Sequence, residues 1–265
     1  MSSLLSASRI AALLWQFVRR GIETRYKGSH LGPLWLVLSP LLSVGLYLFI
    51  FGHIFEGHFG MPGETRTDYA LALFTGLNLI QFISEIIATA PRAVLGSPNL
   101  VKKVVFPLAI LPATTVGVAL FNHLISMVLA LIGIQLLGNG VSWHVLLWPL
   151  ILLPVICLGL GLAFLLSSIG TYLRDIGHLT AFVTLVLLYT SAVFYPLSKV
   201  RPTPFWDFLK FNPLLHAVDL ARNALVWHAP LNWTALIYVY VAGFAALGLG
   251  CFVFGKLRRG FADVL

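Results

Sequence analysis

Apolar residues run through this chain in stretches too long for a soluble fold. Residues 104–173 contain no Lys, Arg, Asp or Glu, so a soluble protein would have no charged surface to present there. A helix of about 20 apolar residues is enough to cross a bilayer. The Gly138-Asn139-Gly140 turn signal divides the stretch into two crossings. We therefore predict an integral membrane protein.

The same pattern predicts an all-α membrane protein with six transmembrane helices in a single transmembrane domain, residues 1–265. The spans are residues 31–55, 69–90, 108–137, 145–169, 179–195 and 231–254. Within this domain we expect an interface helix in residues 1–30, spans one to five in 31–195, an external segment in 196–230, the sixth span in 231–255 and a tail in 256–265. A content of 59% hydrophobic and 10% charged residues agrees with this class.

Basic residues give the expected orientation. Twelve of them lie on the side of the two termini and five lie on the opposite side. Because positive residues stay in the cytoplasm, both termini are predicted to be cytoplasmic. The net charge of +8 is then mainly a topology signal, and we expect no nucleic-acid partner.

The N-terminal segment is predicted to be an amphipathic helix that lies in the membrane interface. Its apolar face is formed by Ile10, Leu13, Leu14, Phe17 and Val18. Its polar face is formed by Arg9, Gln16, Arg20 and Glu23. Two interpretations stay open: a simple membrane anchor, or a docking surface for a cytoplasmic partner.

The external segment combines aromatic and charged residues and contains two helix-start signals. Thr203-Pro204 and Asn212-Pro213 each place a capping residue before a proline. They predict helices over 205–211 and 214–227, both too short to span. Together these helices indicate a re-entrant hairpin before the last span, with a polar pathway near its turn.

Candidate chemistry is sparse, because the chain has no phosphate loop of the G-x-x-x-x-G-K-[ST] type and cannot hydrolyse ATP by itself. Glu85 is the only formal charge inside a predicted span. Such an acid usually faces the bundle interior, which suggests a gate or a partner contact, although Glu85 can also extend to the nearby interface. The aromatic residues Tyr189, Phe194 and Tyr195 suggest a pathway along which sugar rings slide.

Charged residues cluster on the predicted cytoplasmic connections. Arg174 and Asp175 form the turn between spans four and five, and Arg92, Lys102 and Lys103 surround a short apolar piece before span three. Each set is either structural or a contact to a partner or to the inner mouth of a pathway.

Several local strings resemble the ABC-2 type polysaccharide export permeases, the membrane subunits that export O-antigen, capsule or teichoic acid chains. The strings are RYKGSHLGPLW at residues 25–35, NLVKKVVFP at 99–107, YLRDI at 172–176, FYPL at 194–197 and NPL at 212–214. The resemblance covers nearly the whole chain. One departure is Ala192, where the family pattern leads us to expect a proline.

The resemblance implies a homodimer in a bacterial inner membrane, bound to two copies of a separate ATPase that carries the ATP and Mg. The cargo would be a glycan on a polyprenyl pyrophosphate, with O-antigen preferred. Arg25 and Lys27 would attract the pyrophosphate, unless topology alone explains their charge. The five charged residues of the cytoplasmic connections would contact the ATPase, and the permease itself would carry no cofactor, metal or catalytic residue.

Two other classes of membrane protein are alternatives to this interpretation. A polyprenol-dependent glycosyl- or acyltransferase needs an acid or base at a membrane face, for which Glu85 and Asp219 are the candidates. An ion-coupled carrier needs further ionisable residues within the spans, and the predicted spans lack them.

Overall fold

The computed structural model describes residues 7–27, 29–47, 49–50, 57–102 and 106–265, and all regular structure in these ranges is helical. In chain order the helices are α1 (Ala7–Tyr26), α2 (Trp35–Tyr47), α3 (Arg66–Thr89), α4 (Pro98–Lys102), α5 (Ile110–Leu137), α6 (Trp148–Tyr172), α7 (Ile176–Thr190), α8 (Leu197–Val200), α9 (Trp206–Leu209), α10 (Pro213–Leu225), α11 (Trp233–Leu257) and α12 (Phe261–Val264). The all-α prediction is confirmed for the described residues.

Four helical segments are long and apolar enough to cross a membrane. They are Arg66–Arg92, Ile110–Leu137, Trp143–Tyr172 and Trp233–Val264. Helices α2 and α7 are apolar but have 13 and 15 residues, which at ~1.5 Å per residue is less than the ~30 Å hydrocarbon core. The first predicted span also runs through residues 48 and 51–55, which lie outside the described residues. Six crossings therefore stay a prediction.

Helix α3 lies at the centre of the bundle. In its most apolar stretch of 18 residues 83% of the residues are buried, whereas the corresponding stretch of α11 has only 22% buried. Helix α3 contacts α5, α7, α10 and α6. Its first turn is closed by a capping box, in which Thr65 accepts from the amide of Asp68 and the Asp68 carboxylate accepts from that of Thr65. This arrangement fixes where the helix enters the bundle.

The predicted break between the third and fourth crossings is present. Helix α5 ends at Leu137 with Gly138 as its C-cap. Gly140 then adopts φ +82°, a left-handed conformation that glycine reaches without steric cost. The chain reverses there, so that α6 returns alongside α5.

Helices α6 and α11 pack most closely of all. A Cβ added to Gly250 would lie 2.2 Å from the carbonyl oxygen of Gly161, and one added to Gly161 would lie 2.3 Å from the Ala246 backbone. Glycine at both positions lets the two backbones touch, which is how membrane helices gain packing where lipid offers no hydrophobic drive.

Helix α1 packs on the first half of α5. Val18, on the predicted apolar face, is buried, whereas Trp15 is exposed. On the polar side, Arg19 Nε lies 2.8 Å from the Glu23 carboxylate in an exposed i, i+4 pair. The helix is therefore amphipathic as predicted.

The external segment differs from its prediction in one helix. Asn212 caps α10 by accepting from the amide of Leu214, with Pro213 in the first turn, as expected. The earlier helix is only the four-residue α9, with Phe205 rather than Thr203 as its N-cap. Helix α10 packs against α3, α6 and α11 with most of its residues buried, so it belongs to the core of the bundle. Whether the segment is re-entrant stays a prediction.

Candidate functional site

An ion pair joins the end of α1 to the last turns of α3. The guanidinium of Arg25 contacts the Glu85 carboxylate, which is 60 residues away in the chain. The side-chain amide of Asn122, on α5, donates to both Glu85 oxygens at 2.9 and 3.1 Å. The Glu85 side chain is only 12% exposed, whereas that of Arg25 is 47% exposed. The Glu85 carboxylate is thus held by two hydrogen-bond donors, while the Arg25 side chain is about half exposed.

This cluster separates two cavities. The larger one, of about 820 Å³, lies between α1, α3, α5 and α7. The smaller one, of about 200 Å³, lies between α2, α3 and α5. Arg25 and Glu85 line both. Ligand sites in proteins commonly have volumes of ~300–1,000 Å³, so the larger cavity has room for a molecule.

The walls of the larger cavity are mainly apolar, with a minority of polar groups. The polar members besides the ion pair are Tyr47, Gln81, Ser84, Thr89, Thr114, Thr115 and Thr184. Gln81 precedes Glu85 by one helical turn and also lines the smaller cavity. Lys27 is exposed and, among the described residues, does not line either cavity. Of the two basic residues proposed for the inner mouth, only Arg25 reaches this site.

The predicted aromatic residues meet at the other end of α7. The Tyr195 hydroxyl donates to the carbonyl oxygen of Tyr189 at 2.6 Å, and the rings of Tyr189 and Phe194 lie 5.7 Å apart. Tyr189 is 57% exposed. The larger cavity extends along α7 as far as Leu188, so this aromatic group begins where the cavity wall ends.

The turn after α7 is bound by a buried arginine, Arg222. The sequence analysis counted this residue only among the basic residues that indicate membrane orientation. Arg222, on α10, donates to the carbonyl oxygens of Ala72 at 3.1 Å and Ala192 at 2.6 Å, and also to that of Val193. Its guanidinium carbon lies 4.3 Å from the centre of the Phe59 ring. The available signal was a pair of charges, Asp219 and Arg222, within the otherwise mainly apolar segment 214–226.

The turn that Arg222 holds has an unusual backbone. Ala192 adopts φ +54°, which proline cannot reach because its ring fixes φ near −65°. The expected proline is therefore incompatible with this conformation. Asn212 adds to the same turn by donating to the Thr190 carbonyl oxygen at 3.2 Å and the Ser191 hydroxyl at 3.0 Å.

The predicted coupling residues meet only in part. Arg92 and Arg174 line a third cavity of about 520 Å³ together with His178 and Leu265. Asp175 is exposed at the start of α7 and, in the part of the chain that the structure describes, forms no ion pair with Arg174. Lys102 is exposed at the end of α4. Lys103 lies outside the described residues.

A family comparison decides the class of this protein. The model of the ABC-2 type transporter family matches residues 12–226, from within α1 to just beyond α10. The chain belongs to this family. The match includes both the ion pair of Arg25 with Glu85 and the Arg222 contacts, so these features lie within the ABC-2 transporter domain.

Three curated relatives of this ABC-2 protein cover most of the chain. It is 26% identical to the O-antigen export system permease protein RfbA of Klebsiella pneumoniae, over 96% of this chain and 95% of the relative. It is 27% identical to the polysialic acid transport protein KpsM of Escherichia coli, over 78% of each chain. It is 22% identical to the capsule polysaccharide export inner-membrane protein CtrC of Neisseria meningitidis, over 98% and 95%.

Proposed function

We propose that this chain is the permease subunit of an ABC exporter that moves a lipid-linked polysaccharide from the cytoplasm to the periplasm. The observation that carries the proposal is the family match over residues 12–226, joined to relatives of nearly full length that are named as O-antigen and capsule export proteins. The preferred cargo is O-antigen on a polyprenyl pyrophosphate. The chain lies in a bacterial inner membrane with both termini in the cytoplasm.

Energy comes from a separate ATPase. The absence of a phosphate loop from the sequence supports this division of labour. Two ATPase subunits contact the exposed charges of Arg92, Lys102, Arg174 and Asp175. Lys103, which lies outside the described residues, keeps its predicted role in the same contact. ATP and Mg are bound by those subunits.

The working unit is a homodimer. Helix α7 buries only Thr180 among its 15 residues, and its exposed side chains include Leu179, Phe182 and Tyr189. An apolar helix with so little packing in one chain is available to a second copy as well as to lipid. Two copies would enclose a continuous pathway, with the larger cavity along α7 and the aromatic group at the outer end of this helix.

The proposal is tested first by co-purification with the product of a neighbouring reading frame that carries Walker motifs. We expect a stable complex whose ATP hydrolysis rises when a polyprenyl-pyrophosphate glycan is added. Arg174→Glu should reduce the recovery of the ATPase, because it reverses a charge on the contact surface. Arg259→Glu, an exposed arginine in the tail, is the matched control. ATP hydrolysis by this chain alone, or polysaccharide export that persists after its removal, would refute the assignment.

The pathway is tested at the aromatic group. Tyr189→Ala removes an exposed ring, and Tyr195→Phe removes only the hydroxyl that donates to Tyr189. If sugar rings slide past this group, Tyr189→Ala lowers glycan export while ATPase binding is retained. Tyr195→Phe keeps both rings and is the control that should export normally. Unaltered export in Tyr189→Ala would exclude the aromatic pathway.

A further inference from the structure

The Glu85 carboxylate occupies a site that is built for an anion. It accepts hydrogen bonds from the guanidinium of Arg25 and from the side-chain amide of Asn122. These two donors come from helices α1 and α5, and neither neighbours Glu85 in sequence. Guanidinium and amide groups that converge on one point bind phosphate oxygens as readily as carboxylate oxygens. The two donors would therefore be complementary to a phosphate group in the absence of the carboxylate.

The site is accessible to such a group from the larger cavity. Arg25 is 47% exposed at its side chain and lines the cavity of about 820 Å³. Gln81, which lines both cavities, supplies a further amide within one helical turn of Glu85. In the described part of the chain the side-chain oxygen of Asn122 is buried without a hydrogen-bond partner. Among the contacts of the described residues, the Asn122 side chain therefore bonds to Glu85 through its nitrogen, and its oxygen has no hydrogen-bond partner.

We propose that Glu85 is an internal substitute for the diphosphate of the lipid carrier, and that the arriving head group displaces it from Arg25 and Asn122. The inference rests on the proposed function, because that function supplies the diphosphate lipid. While no substrate is present, the carboxylate neutralises Arg25 and holds the end of α1 against α3 and α5. When the diphosphate arrives, both donors pass to phosphate oxygens, and α1 is released from Glu85.

Electrostatics explains why a monoanionic or neutral lipid would not produce this exchange. Glu85 is held by one full cation, so only a ligand with greater negative charge competes well for Arg25. A bound diphosphate also repels a carboxylate that stays nearby, because like charges a few ångströms apart in a poorly solvated site disfavour each other. Removal of the Glu85 charge should therefore tighten diphosphate binding, because the carboxylate no longer competes for Arg25 and Asn122.

The test measures binding of farnesyl pyrophosphate to the full-length protein in lipid nanodiscs, with farnesyl monophosphate and inorganic pyrophosphate in parallel. We expect Glu85→Gln to bind farnesyl pyrophosphate at least tenfold more tightly than the unaltered protein. Arg25→Gln should bind it at least tenfold more weakly. The double variant Arg25→Gln, Glu85→Gln should also be weak, since the cation is absent although the charges balance.

The controls use the exposed pair of Arg19 and Glu23 on the same helix. Glu23→Gln and Arg19→Gln remove the same charges outside the site, and each should change the affinity less than twofold. If Glu85→Gln does not fold, Asn122→Asp provides the second variant. It adds a negative charge beside Arg25, which should weaken binding at least tenfold.

The outcomes separate the possibilities. An unchanged or weaker affinity in Glu85→Gln, or an unchanged affinity in Asn122→Asp, overturns the proposal. An equal gain for inorganic pyrophosphate and no binding of the farnesyl compound overturns the assignment to a lipid head group. Polysaccharide export that continues without this chain would refute the proposed function, whereas the binding pattern is judged on the purified protein alone.

Discussion

Replacement of the buried Arg222 by methionine is the sharpest test of how the outer end of α7 is held. Arg222 is 3% exposed and donates to three backbone carbonyl oxygens, those of Ala72, Ala192 and Val193. Desolvation lowers the pKa of Arg222 below its ordinary value, to about 10, so at neutral pH the side chain is still protonated and its donors are all present. Methionine has a similar length and removes the donors without opening a large cavity.

The expected loss can be worked from these contacts. The three residues that supply the carbonyl groups are at most 1% exposed, and an unsatisfied buried acceptor costs ~1–3 kcal/mol. The substitution also removes the desolvation penalty of the buried charge, which offsets part of this loss of stability. The Ala72 carbonyl oxygen lies within α3 and still accepts its helical hydrogen bond, so only those of Ala192 and Val193 lose their donor. We therefore take the lower end for two acceptors, about 2 kcal/mol in the free energy of unfolding. For a chain of this size that corresponds to a fall in melting temperature of roughly 4–8 °C.

The assay is thermal unfolding of the purified protein in detergent, with Arg201→Met as the matched control. Arg201 lies in the same external segment and is exposed, and its guanidinium lies 5.7 Å from the centre of the half-buried Trp206 ring, a contact of ~0.5–1 kcal/mol. We expect the control to melt close to the unaltered protein. If Arg222→Met and Arg201→Met have the same melting temperature, the three carbonyl contacts do not stabilise this turn and the reasoning is refuted.

Three further predictions concern packing and backbone shape. Gly250→Leu should abolish folded protein or lower its melting temperature strongly, because its Cβ would lie 2.2 Å from a backbone oxygen of Gly161; Gly248→Leu, with open space at that position, is the control for yield in the same membrane preparation. Ala192→Pro should cost ~3 kcal/mol or more in unfolding experiments, because φ is +54° there, whereas Ala192→Gly should be tolerated. Phe261→Ala should cost ~3–5 kcal/mol by the same unfolding assay, since its ring is fully buried.

Each of these has a result that would contradict it. Equal yields of Gly250→Leu and Gly248→Leu would mean that α6 and α11 separate without cost. An Ala192→Pro protein as stable as the original would show that the turn after α7 is not left-handed. A Phe261→Ala protein with an unchanged melting temperature would mean that the tail does not pack against the bundle.

The sequence by itself determined the class of this protein and the location of its long helices, whereas the short helix α9 is shorter than predicted and has a different cap. These predictions came from local signals. Apolar runs of membrane length correspond to helices, and the Gly138-Asn139-Gly140 turn and the Asn212-Pro213 cap each correspond to a helix boundary in the structure. Helix boundaries depend on the conformations available to a few neighbouring residues, so a sequence pattern can predict them. The local strings also led to the ABC-2 family, which the comparison confirms.

Only the tertiary structure decided which distant residues meet. Glu85 and Arg25 were each singled out, yet nothing in their 60-residue separation indicated that they form one pair, and Asn122 was not singled out at all. The same holds for Arg222 and for the contact between Gly161 and Gly250. Such contacts depend on the crossing and rotation of packed helices, which arise from the fit of many side chains at once. A chain read in one dimension does not contain that geometry in any local pattern.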